Sequence, residues 1–298
     1  MSSIATVIRD SLSPLAPIPT GMDARLEVPW TVRAVLFDIY GTLLISGTGD
    51  IGIAATQRQT PDIGDIMASS GFPAVLDSAA AEAPELLDAF IRREHDALRA
   101  AGTDYPEVEI REIWFSVMEE LWNRGMLEPP PGGSSTDELA LRHELSVNPV
   151  WTMPGFPEIV GTLKAGGLRI GIVSNAQFYT PLILEALAGK SLEDLGFEPP
   201  LCAWSYRLRR SKPSPRVFEG PLSQLAADGI PPSEILYVGN DMLNDVSAAS
   251  LAGCRTALFA GDRRSLRLRE GDERADAEPD MVVTELGQLA RIIDESHE

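Results

Sequence analysis

The chain has 298 residues, 44% of them hydrophobic, with 25 basic against 44 acidic side chains and a formal net charge of -19. That balance argues against a nucleic-acid partner, which needs a basic stripe, and against an anionic membrane surface; no apolar run approaches the length of a membrane span. A small anion can still be held where positive groups are focused in one cleft, and lysine is scarce, occurring only at Lys164, Lys190 and Lys212.

The two cysteines, Cys202 and Cys254, give neither a disulfide framework nor metal-ligand spacing. A reducing, cytoplasmic setting fits that usage. Residues 1–30 carry Pro14, Pro17, Pro19 and Pro29 without the apolar core of a secretion signal, and read as an N-terminal extension, either an extended arm lying against the body or, the favoured reading, a loosely held terminus. Ala34 to Phe37 is a short apolar run that reads as a buried strand. It ends on Asp38, and Gly41 allows an immediate turn. At the carboxyl end of a parallel strand such an aspartate faces a cleft, where it can act as a nucleophile or merely cap a turn. Residues 45–52, with three glycines, read as a hinge or flap beside it, or as a plain connector.

Residues 57–148 change character. Helical spacing predicts helices near 62–70, 82–101 and 107–125, with Leu86, Leu87, Phe90, Ile91 and Leu98 on one face and Ile110, Ile113, Trp114, Val117, Met118 and Leu121 on another. Pro84 suits a first helical turn, and Thr136 is a candidate N-cap after the Pro- and Gly-rich loop 128–135. This is an inserted helical unit. His95 and His143 lack neighbours at ligand spacing and read as surface or packing residues; Trp114 and Trp122 read as core.

From Trp151 an α/β rhythm resumes. A helix through Leu163 leads to an apolar strand, 168–173, ending on Ser174 and Asn175, a hydroxyl and a turn suited to an anion's oxygens. A helix over 180–187 and a short strand at 201–204 follow. The basic stretch Arg207 to Arg216 then carries Lys212, whose backbone is fixed by Pro213 and Pro215. A fourth strand, 235–238, runs into Gly239-Asn240-Asp241-Met242-Leu243-Asn244-Asp245, whose two carboxylates could join Asp38 around a hard cation. A helix over 246–252, strands at 255–259 and 281–283 and a closing helix over 285–293 complete the pattern; 261–279, charged and mixed in sign, reads as a solvated loop or exposed helix.

Four strand-end stretches in this order, Asp38-x-x-Gly41-Thr42, Ser174-Asn175, Lys212-Pro213 and Gly239-Asn240-Asp241-x-x-Asn244-Asp245, resemble the haloacid dehalogenase-like hydrolase superfamily. The resemblance implies an α/β fold: a Rossmann-like parallel sheet core with helices on both faces (31–46 and 150–298) and an inserted α-helical cap (47–149). It implies Asp38 as nucleophile, Gly41, Thr42, Ser174, Asn175 and Lys212 around the substrate, with Lys212 balancing charge. It further implies Mg2+ held by Asp38, the Tyr40 carbonyl and Asp241, with Asp245 supporting the metal or Lys212.

Two departures pull apart. Phosphatases of the superfamily carry a second aspartate where Tyr40 stands, as acid and then base; a tyrosine, with a reference pKa of about 10, is a poor base near neutral pH. Asp-x-Tyr-Gly-Thr instead resembles the metal-free L-2-haloacid dehalogenases. Yet Asp241 keeps a metal carboxylate, and the tyrosine those dehalogenases carry six residues past the lysine is Phe218 here. The phosphonate-hydrolase branch needs a cap lysine, and 45–150 has none. The leading expectation is a Mg2+-dependent hydrolase of a small anionic, phosphorylated substrate. The alternatives are a 2-haloacid dehalogenase and a HAD-like binding module without turnover.

Overall fold

The computed structural model describes residues 4–27, 29–48, 62–128 and 135–294. Six strands form one parallel sheet: β1 (Ala34–Phe37), β4 (Arg169–Ser174), β5 (Cys202–Trp204), β6 (Ile235–Gly239), β7 (Arg255–Phe259) and β8 (Met281–Val283), in the order β5-β4-β1-β6-β7-β8. β1 pairs with β4 on one side and β6 on the other. The chain therefore reverses its direction across the sheet beside β1, and the crevice at that reversal opens at the end of β1. Every residue of β1 and β6 is buried, as expected for parallel strands covered on both faces. The pleat sends Val35, Phe37, Leu236 and Val238 into one core and Ala34, Leu36, Ile235 and Tyr237 into the other. Burying each large apolar side chain stabilises the fold by about 1.5–3 kcal/mol.

Two further strands, β2 (Leu44–Ser46) and β3 (Val150–Thr152), form an antiparallel ribbon pairing Leu44 with Thr152 and Ser46 with Val150. Both connections to the insertion thus leave from one ribbon. In place of the expected connector, Ile45 and Ser46 are strand residues; residues 49–52 of that stretch lie outside the described residues.

The insertion is helical, with α2 (Ile63–Ser69), α3 (Ser78–Ala100), α4 (Ile110–Asn123) and α5 (Thr136–Val147) following α1 (Ile4–Ser11) in the chain. Asp62 caps α2, accepting from Asp65 N at 3.2 Å. α3 starts a turn earlier than predicted, because the alanine-rich run 79–83 is strongly helix-forming, and Pro84 lies inside it. Ser135, not Thr136, caps α5, accepting from Glu138 N at 3.1 Å. The buried face of α4 is Ile113, Trp114, Val117, Met118 and Leu121. Trp122 is off that stripe and 48% exposed, so it is not a core residue. His143 packs edge-on against Trp114 at 5.2 Å, and burial lowers its pKa to about 4.

The N-terminal segment is not loosely held. Val7 and Ile8 of α1 are buried, and the helix packs on α5 and on Tyr179–Ala188 of the core. Arg25 pairs antiparallel with Val282, extending the sheet at β8.

Candidate active site

The ends of β1, β4 and β6 and the loop carrying Lys212 meet in the crevice. Asp38 N donates to Val238 O at 2.9 Å, fixing the first residue after β1 on β6. The turn then closes through Thr42, Leu43 and Leu44, whose amides all donate to Ile39 O. Gly41 sits at φ +85, a left-handed conformation that favours glycine, and a Cβ there would lie 2.5 Å from Ser265 Cβ. Thr42 is fully buried, and its hydroxyl donates to Asn240 Oδ1 at 3.1 Å. The expected substrate hydroxyl is therefore engaged within the protein.

Lys212 is the hub. Its ammonium donates to Asp38 Oδ1 at 2.8 Å, Asp245 Oδ1 at 2.5 Å and the Tyr237 hydroxyl at 2.7 Å. Three donors meet three acceptors, so the buried charge is fully satisfied. The Tyr237 hydroxyl donates onward to Val173 O at 2.7 Å, leaving its oxygen to accept from Lys212. Burial works against the ammonium, but Asp245 and Asp38 hold it above its usual value. Burial pushes Asp245 up to about 6; Lys212 opposes this, and the charges of Asp38 and Asp241 add to it.

Asn175 brackets the lysine's backbone, accepting from Lys212 N at 2.7 Å and donating to Lys212 O at 3.2 Å. Its amide thus aims the lysine, a task beyond the substrate contact expected of it. The hydroxyl of Ser174, buried at the end of β4, makes a long 3.5 Å contact to Asn175 O and no other side-chain hydrogen bond among the described residues.

Asp38 Oδ1 is held by Lys212, whereas Oδ2 accepts no hydrogen bond from the described residues. That second oxygen is chemically available. Tyr40 is not an acid or base for it: its hydroxyl is hydrogen bonded to Thr180 Oγ1 at 2.9 Å. Burial, and then the charge of Glu144, raise its pKa far above the usual value.

The glycine before Asn240 has a different role. A Cβ on Gly239 would lie 2.3 Å from Asp245 Cγ, so only glycine lets Asp245 reach the lysine. Gly239→Ala is expected to push Asp245 off Lys212, costing about 1–3 kcal/mol of overpacking and lowering turnover. Urea unfolding and initial rates measured side by side would show it; an unchanged midpoint would contradict it.

Asp241, the expected metal carboxylate, has other partners. Oδ1 accepts from Leu243 N at 2.9 Å and Asn244 N at 3.1 Å, capping the turn Met242–Ser247. Oδ2 accepts from Asn244 Nδ2 at 2.9 Å. The Arg269 guanidinium grips both oxygens, with Nε at 3.0 Å from Oδ1 and Nη2 on Oδ2. Among the described residues no group of three or more His, Cys, Asp or Glu is placed to hold a metal ion. A donor set for Mg2+ needs several oxygens converging in octahedral geometry. Here Asp38 and Asp245 converge on an ammonium, and Asp241 on a guanidinium. The residues in this arrangement do not fit the ion.

Residues 104–107 of the helical insertion contact the segment that carries Lys212. Asp104 accepts from Ser214 Oγ at 2.6 Å and pairs with Arg210 at 2.6 Å; Tyr105 O accepts from Ser211 N at 2.8 Å. Glu107 accepts from Ser205 Oγ at 3.0 Å and Gln177 Nε2 at 3.2 Å. These contacts enclose a cavity of about 80 Å³ lined by Tyr40, Glu107, Glu144, Asn175, Gln177 and Tyr179. Burial raises the pKa of both Glu107 and Glu144. A larger hollow of about 280 Å³, near Ser11, Ile66 and Arg142, contains none of the crevice residues.

Sequence reasoning missed Tyr237 and Arg269. Tyr237 reads as one more apolar residue of a buried strand, and Arg269 lies in the charged stretch assigned to solvent.

The family model for haloacid dehalogenase-like hydrolases matches residues 32–253. No curated protein matches the chain. Among solved structures, the chain is similar to a 2-haloacid dehalogenase from Pseudomonas syringae pv. Tomato (20% identity, 89% of this chain and 99% of that one, TM-score 0.50). It is also similar to the L-2-haloacid dehalogenase from Xanthobacter autotrophicus (21%, 89% and 99%, TM-score 0.47). A third likeness is to the HAD-hydrolase YfnB from Bacillus subtilis bound to magnesium (16%, 89% and 100%, TM-score 0.48). At these identities the likeness is one of fold.

Proposed function

We propose, for a chain that belongs to the haloacid dehalogenase-like hydrolases, that Asp38 displaces a leaving group from carbon and passes through a covalent ester. The observation that carries this reading is the division of labour on the Asp38 carboxylate, with Oδ1 on Lys212 and Oδ2 open. Oδ2 forms a bond to the electrophilic carbon. The carbon–halogen bond breaks, and the halide leaves with its electron pair. Water then attacks Asp38 Cγ; the bond between Cγ and Oδ2 breaks, Oδ2 leaves as the hydroxyl of the product, the oxygen of water stays on Asp38, and one proton passes to solvent overall. Charge that develops on Oδ1 during this second step lies 2.8 Å from the Lys212 ammonium, already in position.

A halide needs no proton on leaving, so a Tyr40 committed to Thr180 costs this chemistry nothing. An alkoxide leaving from phosphate would lose general-acid help of about 10²- to 10⁴-fold. The substrate is a small molecule whose reacting end meets Asp38, with Lys212 behind it. The carboxyls of Glu107 and Glu144 in the cavity wall suit hydrogen-bond donors on its other end.

The expected Mg2+-dependent phosphohydrolase is the second reading, supported by a carboxylate at the position of Asp241, beside Asp245. The deciding assay measures halide and phosphate release in parallel. It uses 2-chloro- and 2-bromocarboxylates, with and without hydroxyl or amino substituents, and phosphate esters, with Mg2+ and with EDTA. Halide release indifferent to EDTA is expected; phosphate release abolished by EDTA would replace this reading with the second.

A further inference from the structure

We propose that Arg269 is a built-in counter-cation for Asp241, occupying the carboxylate that a divalent ion would need and so keeping this site closed to added metal. The inference goes beyond the reaction proposed above: it concerns the cation held at Asp241, and a Mg2+-dependent phosphohydrolase, the second reading, is incompatible with it.

Three observations support it. First, Asp241 is saturated. Arg269 Nε and Nη2, Leu243 N, Asn244 N and Asn244 Nδ2 together bring five donors to two oxygens, which offer about four lone-pair sites. A cation would have to displace the two-pronged guanidinium contact, the strongest of these. Secondly, the pair is sheltered: the Asp241 side chain is 9% exposed and that of Arg269 29%, so solvent screens it less than a surface pair.

Thirdly, Arg269 is delivered by an anchored segment. Arg267 N donates to Asn240 O at 3.0 Å, and Met242 N donates back to Arg267 O at 2.9 Å, so the arginine's loop is stitched to the residues flanking Asp241. Asn240 Nδ2 donates to Ser265 O at 2.6 Å. Asp262 holds the start of this segment, accepting from Arg264 N at 3.1 Å and from Ile18 N at 3.1 Å. Arg269 itself sits at φ +55, a left-handed conformation uncommon for a non-glycine residue.

Three carboxylates are thereby shared between two organic cations, Asp38 and Asp245 on Lys212 and Asp241 on Arg269. The test is calorimetric titration of Mg2+ and Mn2+ into the full chain, its Arg269→Met variant and an Arg269→Met/Asp241→Asn double variant. The expected result is no saturable binding to the wild-type protein at millimolar ion, a gain of at least about tenfold in affinity in Arg269→Met, and loss of that gain in the double variant. Wild-type binding as tight as the variant's, no gain in Arg269→Met, or a gain that survives loss of Asp241 would each overturn the proposal. Circular dichroism confirms that each variant is folded, and Arg269→Gln repeats the titration should the methionine variant fail to fold. The wild-type titration is decisive on its own if it shows a site.

Discussion

Asp38→Asn is expected to lower turnover by on the order of 10⁴- to 10⁶-fold, the scale seen when the nucleophile of a covalent catalyst is removed. The fold is expected to survive. Asp38 lies after β1, its backbone remains tied to Val238, and Lys212 keeps Asp245 and Tyr237 as partners. Removing one of three neighbouring carboxylates also relieves repulsion on Asp245. Initial rates on the best substrate of the panel, with unfolding midpoints beside them, separate the two effects. A variant that keeps its rate within tenfold would show that Asp38 is not the nucleophile. A wild-type protein inert on the whole panel, with ligand binding unchanged in Asp38→Asn, would favour a binding role.

Lys212→Met carries the largest expected stability effect. The ammonium is the shared partner of two buried carboxylates, and breaking a buried ion pair from one side costs about 3–5 kcal/mol. The deficit depends on pH, with a definite sign. Burial already holds Asp245 at about 6 in the presence of the lysine. Without the lysine its folded-state pKa rises further above the unfolded value, so the folded variant binds the proton more tightly than the unfolded chain. Stability then falls as pH rises through that window and is recovered as pH falls back through it. Urea unfolding of both proteins should show the gap widest at neutral and alkaline pH and narrowing in mild acid. A gap independent of pH would mean that Asp245 is not the group left uncompensated. Lys212→Arg is not expected to rescue activity, because a planar fork does not reproduce three contacts converging on one nitrogen.

Much of this arrangement could be read from the sequence, for identifiable reasons. The parallel strands announce themselves because both faces are covered, which makes runs such as Ala34–Phe37 and Ile235–Gly239 continuously apolar, and the polar residue ending each is where the crevice lies. Asp38 and Lys212 were legible as partners from their strand-end positions and the scarcity of lysine. The buried stripe of α4 followed directly from helical spacing.

Other features were hidden by physics that acts over long separations. The Arg269–Asp241 pair spans 28 residues, and a segment of mixed charge without periodicity looks the same whether it is solvated or folded back. Asp241 reads as a metal ligand from its motif, and its pairing with Arg269 is visible only in the fold. Asn175 lines the cavity as well as gripping both sides of the Lys212 peptide with its amide, a contact 37 residues away that local sequence does not show. The N-terminal helix was overshadowed by the prolines that follow it, although Ile4, Val7 and Ile8 carry helical spacing.

The central claim is an ester between Asp38 and carbon, and turnover in water enriched in heavy oxygen tests it most directly. After multiple turnovers with the haloacid the panel selects, mass spectrometry of the peptide containing Asp38 is expected to show heavy oxygen in that carboxylate, since water attacks Cγ. Heavy oxygen found only in the released product, with Asp38 unlabelled, would place the attack of water on the substrate instead and contradict the account.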